Sequence, residues 1–315
     1  MTAAPARTAA AARTAAGPTL ATAAGRFAFP AMVAGNVTLA FGPWMVRMAD
    51  VPPIASAFWR LALAILPLLV LARLVAGSTA VMVRGLDRRV VALTGLAGLF
   101  FAVDLIFWHL GIVRSTLANA TLLSNAASFL LPLWGIVVLR QRPSRKALVA
   151  IGLAFAGTLL LVGASAELSQ AHLIGDLLCL GAAVFYTFYL IVIDRVRGTI
   201  APLPLLAVSS IAGALVLLPI ALATGPLLPG NWTPLLLLSL GSQVIGQGLI
   251  VYAVGHLRPL VVGLTLLVQP AVGAIIGALR FDEIPGTVTI FGAALVVSAL
   301  VLVRLPERGT ARRAA

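Results

Sequence analysis

Long apolar stretches recur along nearly the whole chain, and short polar or basic segments separate them. A helix that crosses the hydrocarbon core of a bilayer, roughly 30 Å thick, needs about 20 predominantly apolar residues. When the apolar stretches are divided into segments of that length, they predict an all-α polytopic membrane protein with ten transmembrane helices. We place these spans at Phe27 to Val46, Pro53 to Ala72, Val90 to Ile112, Leu117 to Leu139, Ala147 to Gly163, Ile174 to Ile193, Leu203 to Leu222, Pro234 to Val254, Leu260 to Leu279 and Thr287 to Val303.

The composition supports one membrane bundle rather than a soluble protein. Apolar residues make up 61% of the 315 residues and charged residues 10%, whereas soluble domains average roughly 45 to 50% and about 25%. The single cysteine, Cys179, lies inside an apolar stretch, which excludes a disulfide framework and a cysteine metal cluster. We expect no catalytic residue, no metal and no cofactor.

The basic residues predict the orientation, because cytoplasmic loops of membrane proteins are enriched in Lys and Arg. With ten spans, only Arg47, Arg114 and Arg280 fall on one side of the membrane, and Arg60 lies inside the second span. The other 18 of the 22 basic residues share the side that holds both termini, so we expect both termini to be cytoplasmic. Since the net charge of +13 is scattered over short loops and tails, lipid headgroups rather than nucleic acid are the expected partner.

Residues 1–26 and 304–315 flank the predicted spans. The first segment is rich in Ala and contains Arg7, Arg13 and Arg26, without the long hydrophobic core of a secretory signal. We interpret it as a disordered cytoplasmic tail, and residues 304–315 as a second cytoplasmic tail. A transit peptide has a similar composition and remains an alternative for the first segment.

The two halves of the chain share three features in the same order. Fourteen residues separate Pro52 from Pro67 around the second span, and Pro204 from Pro219 around the seventh, an offset of 152. Arg-Gln-Arg-Pro at 140–143 matches Asp-Glu-Ile-Pro at 282–285, and Ile-Gly at 151–152 matches Phe-Gly at 291–292. We therefore predict two five-helix repeats, 27–163 and 174–303. Because five is odd, the second repeat is inverted relative to the first.

Several short stretches resemble the drug/metabolite transporter superfamily, specifically its EamA-type ten-helix carriers. They are Phe58-Trp59-Arg60-Leu61, Gly175-Asp176, Gln269-Pro270, Asp282-Glu283 and Gly292. The resemblance implies a secondary transporter of the bacterial inner membrane with a central cavity between its halves, often an exporter of amino acids, other metabolites or toxic compounds. One departure concerns the glutamate that usually ends the fourth span in this family. Gln141 stands in its place, while Glu283 is kept in the second half.

Ionisable side chains inside a span are costly and are therefore functional candidates. Arg60 lies about eight residues from the outer end of the second span and Asp104 eight or nine from the outer end of the third, roughly 12 Å deep at 1.5 Å per residue. Their equal depth allows them to pair. Two interpretations remain open, a structural salt bridge between neighbouring helices and a site for a charged substrate group or a proton.

Two neighbours of Asp104 extend this candidate site. Trp108 falls one helical turn above Asp104 on the same face, and His109 follows near the outer interface. They form either an aromatic wall with a titratable gate or ordinary interfacial residues, since Trp is enriched at membrane interfaces.

Uncharged polar residues also gather at mid-depth, on five different spans. Gln243 and Gln247 are four residues apart on one face, among Gly241, Gly246 and Gly248. Interhelical hydrogen bonding is the alternative role for each of them, but transporters bind substrates near the midplane between their repeats. Asn125 belongs to this group. The predicted substrate-binding residues are Asn36, Arg60, Asp104, Trp108, His109, Tyr186, Gln243, Gln247 and Gln269.

A secondary carrier is the function that these features predict. The chain lacks the His-Glu-x-x-His, Gly-x-Ser-x-Gly and P-loop motifs, so we do not expect an intramembrane enzyme or an ATPase. A passive uniporter or channel-like facilitator has the same sequence pattern and remains an alternative. Arg60 and the aromatic residues favour an amino acid or similar small metabolite, and Asp104 is the candidate for proton coupling.

Gly273 and Gly277 form a GxxxG pair that packs either inside the bundle or between subunits, and the oligomeric state is undetermined.

Overall fold

The computed structural model describes residues 25–79, 86–138, 140, 143–257, 261–262, 265–266 and 268–304. These residues form ten helical segments and no strand. Gln141 and most of both predicted tails lie outside the described residues. The helices are α1 Gly25–Met48, α2 Pro53–Ala76, α3 Arg88–Ile112, α4 Leu117–Val137, α5 Arg145–Leu168, α6 Gln170–Val196, α7 Pro202–Thr224, α8 Thr233–Val254, α9 Val268–Phe281 and α10 Thr287–Arg304.

Local sequence explains where most of these helices begin. Asp87, Thr116 and Ser169 accept hydrogen bonds from backbone amides in the first turns of α3, α4 and α6, which satisfies donors that the helix leaves free. In α2, α7 and α8, a proline stands in the first turn, where its missing N–H costs nothing. Two helices are interrupted, α1 at Phe41 and α4 at Asn125 and Ala126.

Seven of the ten described helices are long and apolar enough to cross a membrane. They are α1 to α4 and α6 to α8, while α9 and most of α10 are shorter apolar helices. Large apolar side chains such as Leu66, Val75, Leu215 and Leu279 stay exposed, as expected of surfaces that face lipid. The all-α polytopic fold predicted from the apolar pattern is confirmed.

The pattern of helix contacts stays the same when each helix is replaced by the one five positions later or earlier in the chain. Helix α3 packs on α6 as α8 packs on α1, and α3 packs on α7 as α8 packs on α2. Each of α2, α4 and α5 also packs on its own counterpart, α7, α9 and α10 respectively. A two-fold axis between two inverted halves produces this pattern, and it brings residues from both halves to the centre of the bundle.

The backbone shows the same duplication at single residues. Among the described residues, Arg140 and Asp282 are the non-glycine residues with positive φ, at 51° and 53°. They follow α4 and α9 and lie 142 positions apart, at the offset that aligns Arg-Gln-Arg-Pro with Asp-Glu-Ile-Pro. This left-handed conformation is uncommon for residues other than glycine, so its recurrence marks two equivalent turns.

The GxxxG pair of α9 packs inside the bundle. A Cβ added at Gly273 would lie 2.6 Å from the Thr121 hydroxyl of α4, and one at Gly277 would lie 2.9 Å from Glu283. The two glycines therefore allow α9 to approach α4 closely, and they are not available as a contact between subunits.

Candidate functional site

A small cavity lies near mid-length of the helices, where the two halves meet. Its empty space is about 390 Å³, part of it open to solvent. Seven helices contribute side chains to its wall, which combines an arginine, a carboxylate, aromatic rings and amides. The lining residues are Leu39, Arg60, Phe101, Asp104, Leu105, Trp108, Ser124, Asn125, Tyr186, Gln247 and Gln269.

Arg60 supplies the positive charge of this cavity and is 3% exposed. Its Nε donates to the Gln243 side-chain oxygen at 3.3 Å, and Gln243 in turn donates to the Ser210 hydroxyl at 3.1 Å. The guanidinium carbon lies 5.2 Å from the centre of the Trp108 ring and 5.7 Å from that of Phe101. Aromatic faces stabilise a desolvated cation, so Arg60 stays buried without a carboxylate in contact.

Asp104 supplies a carboxyl group on the same wall. The direct ion pair that its depth allows is not formed, because no Arg60 nitrogen lies within 4.0 Å of an Asp104 oxygen. Both groups line one cavity, so they attract each other across it without making contact. The cavity wall thus carries a guanidinium and a carboxyl group that do not form an ion pair with each other.

Amide and phenol groups complete the polar wall. Gln247 donates to the Tyr189 hydroxyl at 3.3 Å, and it lies within a weak hydrogen bond, 3.4 Å, of the Tyr186 hydroxyl. On the opposite side, Gln269 donates to the Asn36 oxygen at 2.7 Å and accepts from Asn125 at 3.4 Å. These bonds join α6 to α8 and connect α1, α4 and α9, so they hold the polar groups in fixed directions.

Six of the nine residues predicted from the sequence line the cavity, namely Arg60, Asp104, Trp108, Tyr186, Gln247 and Gln269. Asn36 and Gln243 lie behind it, fully buried, and each holds a lining side chain through a hydrogen bond. The sequence pattern therefore identified both the wall and part of its support.

His109 lies elsewhere. It is fully buried against the edge of Trp108, with ring centres 5.2 Å apart, and it does not line the cavity. Of the two interpretations of this residue, an interfacial position facing the headgroups does not agree with a ring that is 0% exposed. Depth along a helix does not tell which side of the helix meets lipid.

Four lining residues were not among the candidates, namely Leu39, Phe101, Leu105 and Ser124. Phe101 is 1% exposed and stacks on Tyr189 with ring centres 4.7 Å apart. Its position three residues before Asp104 places it on the same helix face, a spacing that could have identified it. Ser124 accepts a hydrogen bond from the Trp108 indole at 3.2 Å, at the interruption of α4.

Helix α8 carries its two glutamines in an unusual backbone. Leu238–Gly246 forms a π-helix of 9 residues, which contains Gln243 and ends one residue before Gln247. A Cβ added at Gly246 would lie 2.0 Å from the end of the Leu39 side chain, so a larger residue there requires this side chain of α1 to move. Wide helical turns of this kind occur frequently at functional sites.

A larger groove lies among α2, α7 and α8, but its chemistry is different. Its described lining is aliphatic, with Tyr252 as the polar exception, and contains no charged residue. Ligand sites usually combine an apolar wall with a few converging polar groups. The smaller, charged cavity is therefore the candidate site.

Comparisons with known proteins agree with this geometry. The sequence model described as "EamA-like transporter family" matches the chain twice, over residues 26–163 and 173–305. The chain belongs to the EamA-like transporter family. Its two matched segments coincide with the two five-helix halves, and the cavity of this EamA-like protein lies between them.

Two relatives extend the comparison. An uncharacterized transporter of Archaeoglobus fulgidus is 26% identical over 220 residues, which is 68% of this chain and 74% of that protein. A solved structure described only as "Crystal structure of protein" superposes with a TM-score of 0.66 and 17% identity, covering 90% of this chain and 97% of the other. That likeness shows the fold alone. The family and the relative establish a multi-pass membrane transporter.

Proposed function

We propose that this transporter exports a small zwitterionic metabolite, an amino acid or a related compound, in exchange for protons. The observation that carries the proposal is the pair of opposite charges, Arg60 and Asp104, on one cavity wall without mutual contact. A cavity wall that holds a guanidinium and a carboxylate apart favours a ligand that carries both signs, because each group then gains a partner on binding.

Arg60 binds the substrate carboxylate. A guanidinium has five donors in a planar fork, and here the hydrogen bond to Gln243 uses only Nε. The remaining donors match the two oxygens of a carboxylate. Gln243 acts as a positioning residue, since it holds Arg60 on Phe101 and Trp108 and away from Asp104.

Asp104 binds either the substrate ammonium group or a proton. The two cations compete for one carboxylate, so binding of one lowers the affinity for the other. A carrier that crosses outward with substrate and returns with a proton on Asp104 couples export to inward proton flow. Phe101, Trp108 and Tyr186 enclose the apolar part of the substrate.

Movement of the two halves, 27–163 and 174–303, exposes the cavity to each side in turn, as in other transporters built from inverted repeats.

We place the protein in the bacterial inner membrane with both termini in the cytoplasm, because 18 of 22 basic residues then lie inside. A cysteine at Val113, which is 46% exposed, tests this orientation in intact cells. An impermeant thiol reagent is expected to label it before permeabilisation, and labelling only afterwards contradicts the orientation.

Reconstitution into liposomes tests the function. The purified protein is assayed with radiolabelled amino acids, their decarboxylated amines and other small metabolites, with and without a pH gradient. We expect transport of zwitterions that responds to the gradient. Transport that ignores the gradient indicates the passive facilitator, and transport restricted to compounds of one charge sign contradicts the proposed substrate class.

A further inference from the structure

A second arginine–carboxylate pair lies at the end of the bundle where α1, α3, α4 and α9 meet. Arg47, near the end of α1, contacts Glu283, which follows α9, with Nη1 and Oε1 2.6 Å apart. Both side chains are mostly buried, at 16% and 18% exposure. This ion pair lies outside the cavity wall and takes no part in the proposed binding of substrate.

Further hydrogen bonds fix the pair to two more helices. Arg47 donates to the carbonyl of Ile112 at 3.3 Å, at the end of α3, and to that of Ser115 at 2.6 Å. Glu283 accepts from the backbone N–H of Leu117 at 2.6 Å, at the start of α4. Two side chains thus tie four helices together at one end of the molecule.

Contacts of the loop between α7 and α8 join further elements at the same end of the bundle. Asp50, shortly after α1, accepts from the backbone N–H groups of Gly230 and Asn231 at 2.8 and 2.9 Å. The Trp59 indole donates to the carbonyl of Leu227 at 2.6 Å. The loop between α7 and α8 is therefore attached to α1 and α2, and Arg47 attaches that group of elements to α9.

The two-fold relation between the halves allows the opposite end to be compared directly. Helices α6 and α8 are the counterparts of α1 and α3. Arg197, at the end of α6, donates to the carbonyl of Gly255 after α8, as Arg47 donates to Ile112. Its carboxylate partner, Asp194 at 2.8 Å, belongs to its own helix and so joins no other element.

The position that corresponds to Glu283 is occupied by Gln141, at the offset of 142 that aligns the two turns. Glutamine has no charge, so an arginine at that end gains no ion pair from this position. Among the described residues, the arginine and its helix-end carbonyl are thus present at both ends, and a carboxylate that bridges helices is present at the Arg47 end.

We infer that the Arg47–Glu283 ion pair is a latch on one end of the carrier, and that the resting protein is therefore closed at that end and opens readily at the other. The role of this latch in transport rests on the proposed function. In the proposed orientation it closes the outer face, so the empty carrier waits for a substrate from the cytoplasm. Opening outward then requires the separation of one buried ion pair.

Distances between two spin labels test the latch without substrate or gradient, so the result does not depend on the proposed function. Cysteines at Leu228 and Ile284, 71% and 86% exposed, carry the labels in a Cys179→Ala background. They report the separation of the α7–α8 loop from the end of α9. We expect one short distance in the latched protein.

Breaking the latch is expected to change this distribution. Glu283→Gln and Arg47→Gln should each add a population longer by roughly 5 Å, about one helical turn. The reversed pair, Arg47→Glu with Glu283→Arg, should restore the short distance. Arg114→Gln is the matched control, because this exposed arginine at the same end bonds only the carbonyl of Leu110 in its own helix among the described contacts. An unchanged distribution in folded Glu283→Gln protein overturns the latch.

Gln141→Glu provides an independent arm that leaves Arg47 and Glu283 intact. It places a carboxylate at the position that corresponds to Glu283, and it should shift the population toward the long distance at the Arg47 end. If Glu283→Gln fails to fold, this variant still decides the question, and an unchanged distribution in it contradicts the inferred asymmetry.

Discussion

The protein contains two arginine–carboxylate combinations, Arg60 with Asp104 and Arg47 with Glu283, and only the second is in direct contact. The second set lies at the helix ends in direct contact, with each partner also bonded to backbone groups of other helices. The first set lies at mid-length, on one cavity wall, without contact. Charges that satisfy each other stabilise a structure, whereas charges held apart remain available to a ligand.

The side chains around each arginine explain the difference. Arg47 lies among backbone carbonyls at helix ends, which add hydrogen bonds to its contact with Glu283. Arg60 is held by Gln243 and by two aromatic rings, which stabilise its charge from other directions. The neighbours of each arginine, rather than its distance along the chain from a carboxylate, decide whether it pairs.

The largest expected effect follows from removal of the charge of Arg60. Arg60→Gln should weaken substrate binding by about 30-fold or more, since loss of one partner of a buried charged contact costs roughly 2 to 5 kcal/mol. Equilibrium binding of the substrate identified in liposomes measures it. Arg114→Gln is the control with normal affinity. Near-normal affinity in Arg60→Gln would remove Arg60 from the site.

Asp104→Asn should separate two kinds of transport. Counterflow of labelled against unlabelled substrate should survive at reduced affinity, because the cavity and Arg60 remain. Accumulation driven by a pH gradient should disappear, because the amide cannot take up a proton. Both are measured in the same proteoliposomes, and an unchanged response to the gradient excludes coupling through this residue.

A smaller effect concerns stability. Double-mutant cycles on thermal unfolding should give a coupling of about 1 to 3 kcal/mol for Arg47 with Glu283, as expected for side chains in contact. For Arg60 with Asp104, which share a cavity without contact, the coupling should be smaller, about 0.5 kcal/mol. A large coupling in the second cycle would show that the two residues pair in the resting protein, contrary to the structure.

The sequence predicted the fold and much of the cavity wall because both depend on regular helix geometry. Apolar length defines a span, and spacing of three or four residues places Asp104 and Trp108 on one face. The relation of Arg60 to Asp104 was not predictable in this way. It depends on Gln243, which reaches Arg60 from the other half of the chain, 183 positions away.

The Arg47–Glu283 contact was missed for a similar reason. Both residues fall in short segments between spans, and 236 positions separate them. Two weak signals existed, since Arg47 is one of three basic residues on the arginine-poor side and Glu283 lies on that side too. Only the packing of α1 on α9 brings the two together.

The most direct test of the central claim matches each charge of the cavity to one charge of the substrate. Binding is measured for the substrate, its carboxamide and its des-amino analogue, in wild-type protein, Arg60→Gln and Asp104→Asn. The account predicts that wild-type protein binds both analogues at least about 30-fold more weakly, a loss of roughly 2 kcal/mol for each missing contact. Arg60→Gln should no longer distinguish the carboxamide, and Asp104→Asn should no longer distinguish the des-amino compound. If both variants keep the wild-type discrimination, Arg60 and Asp104 do not bind the substrate and the account is contradicted.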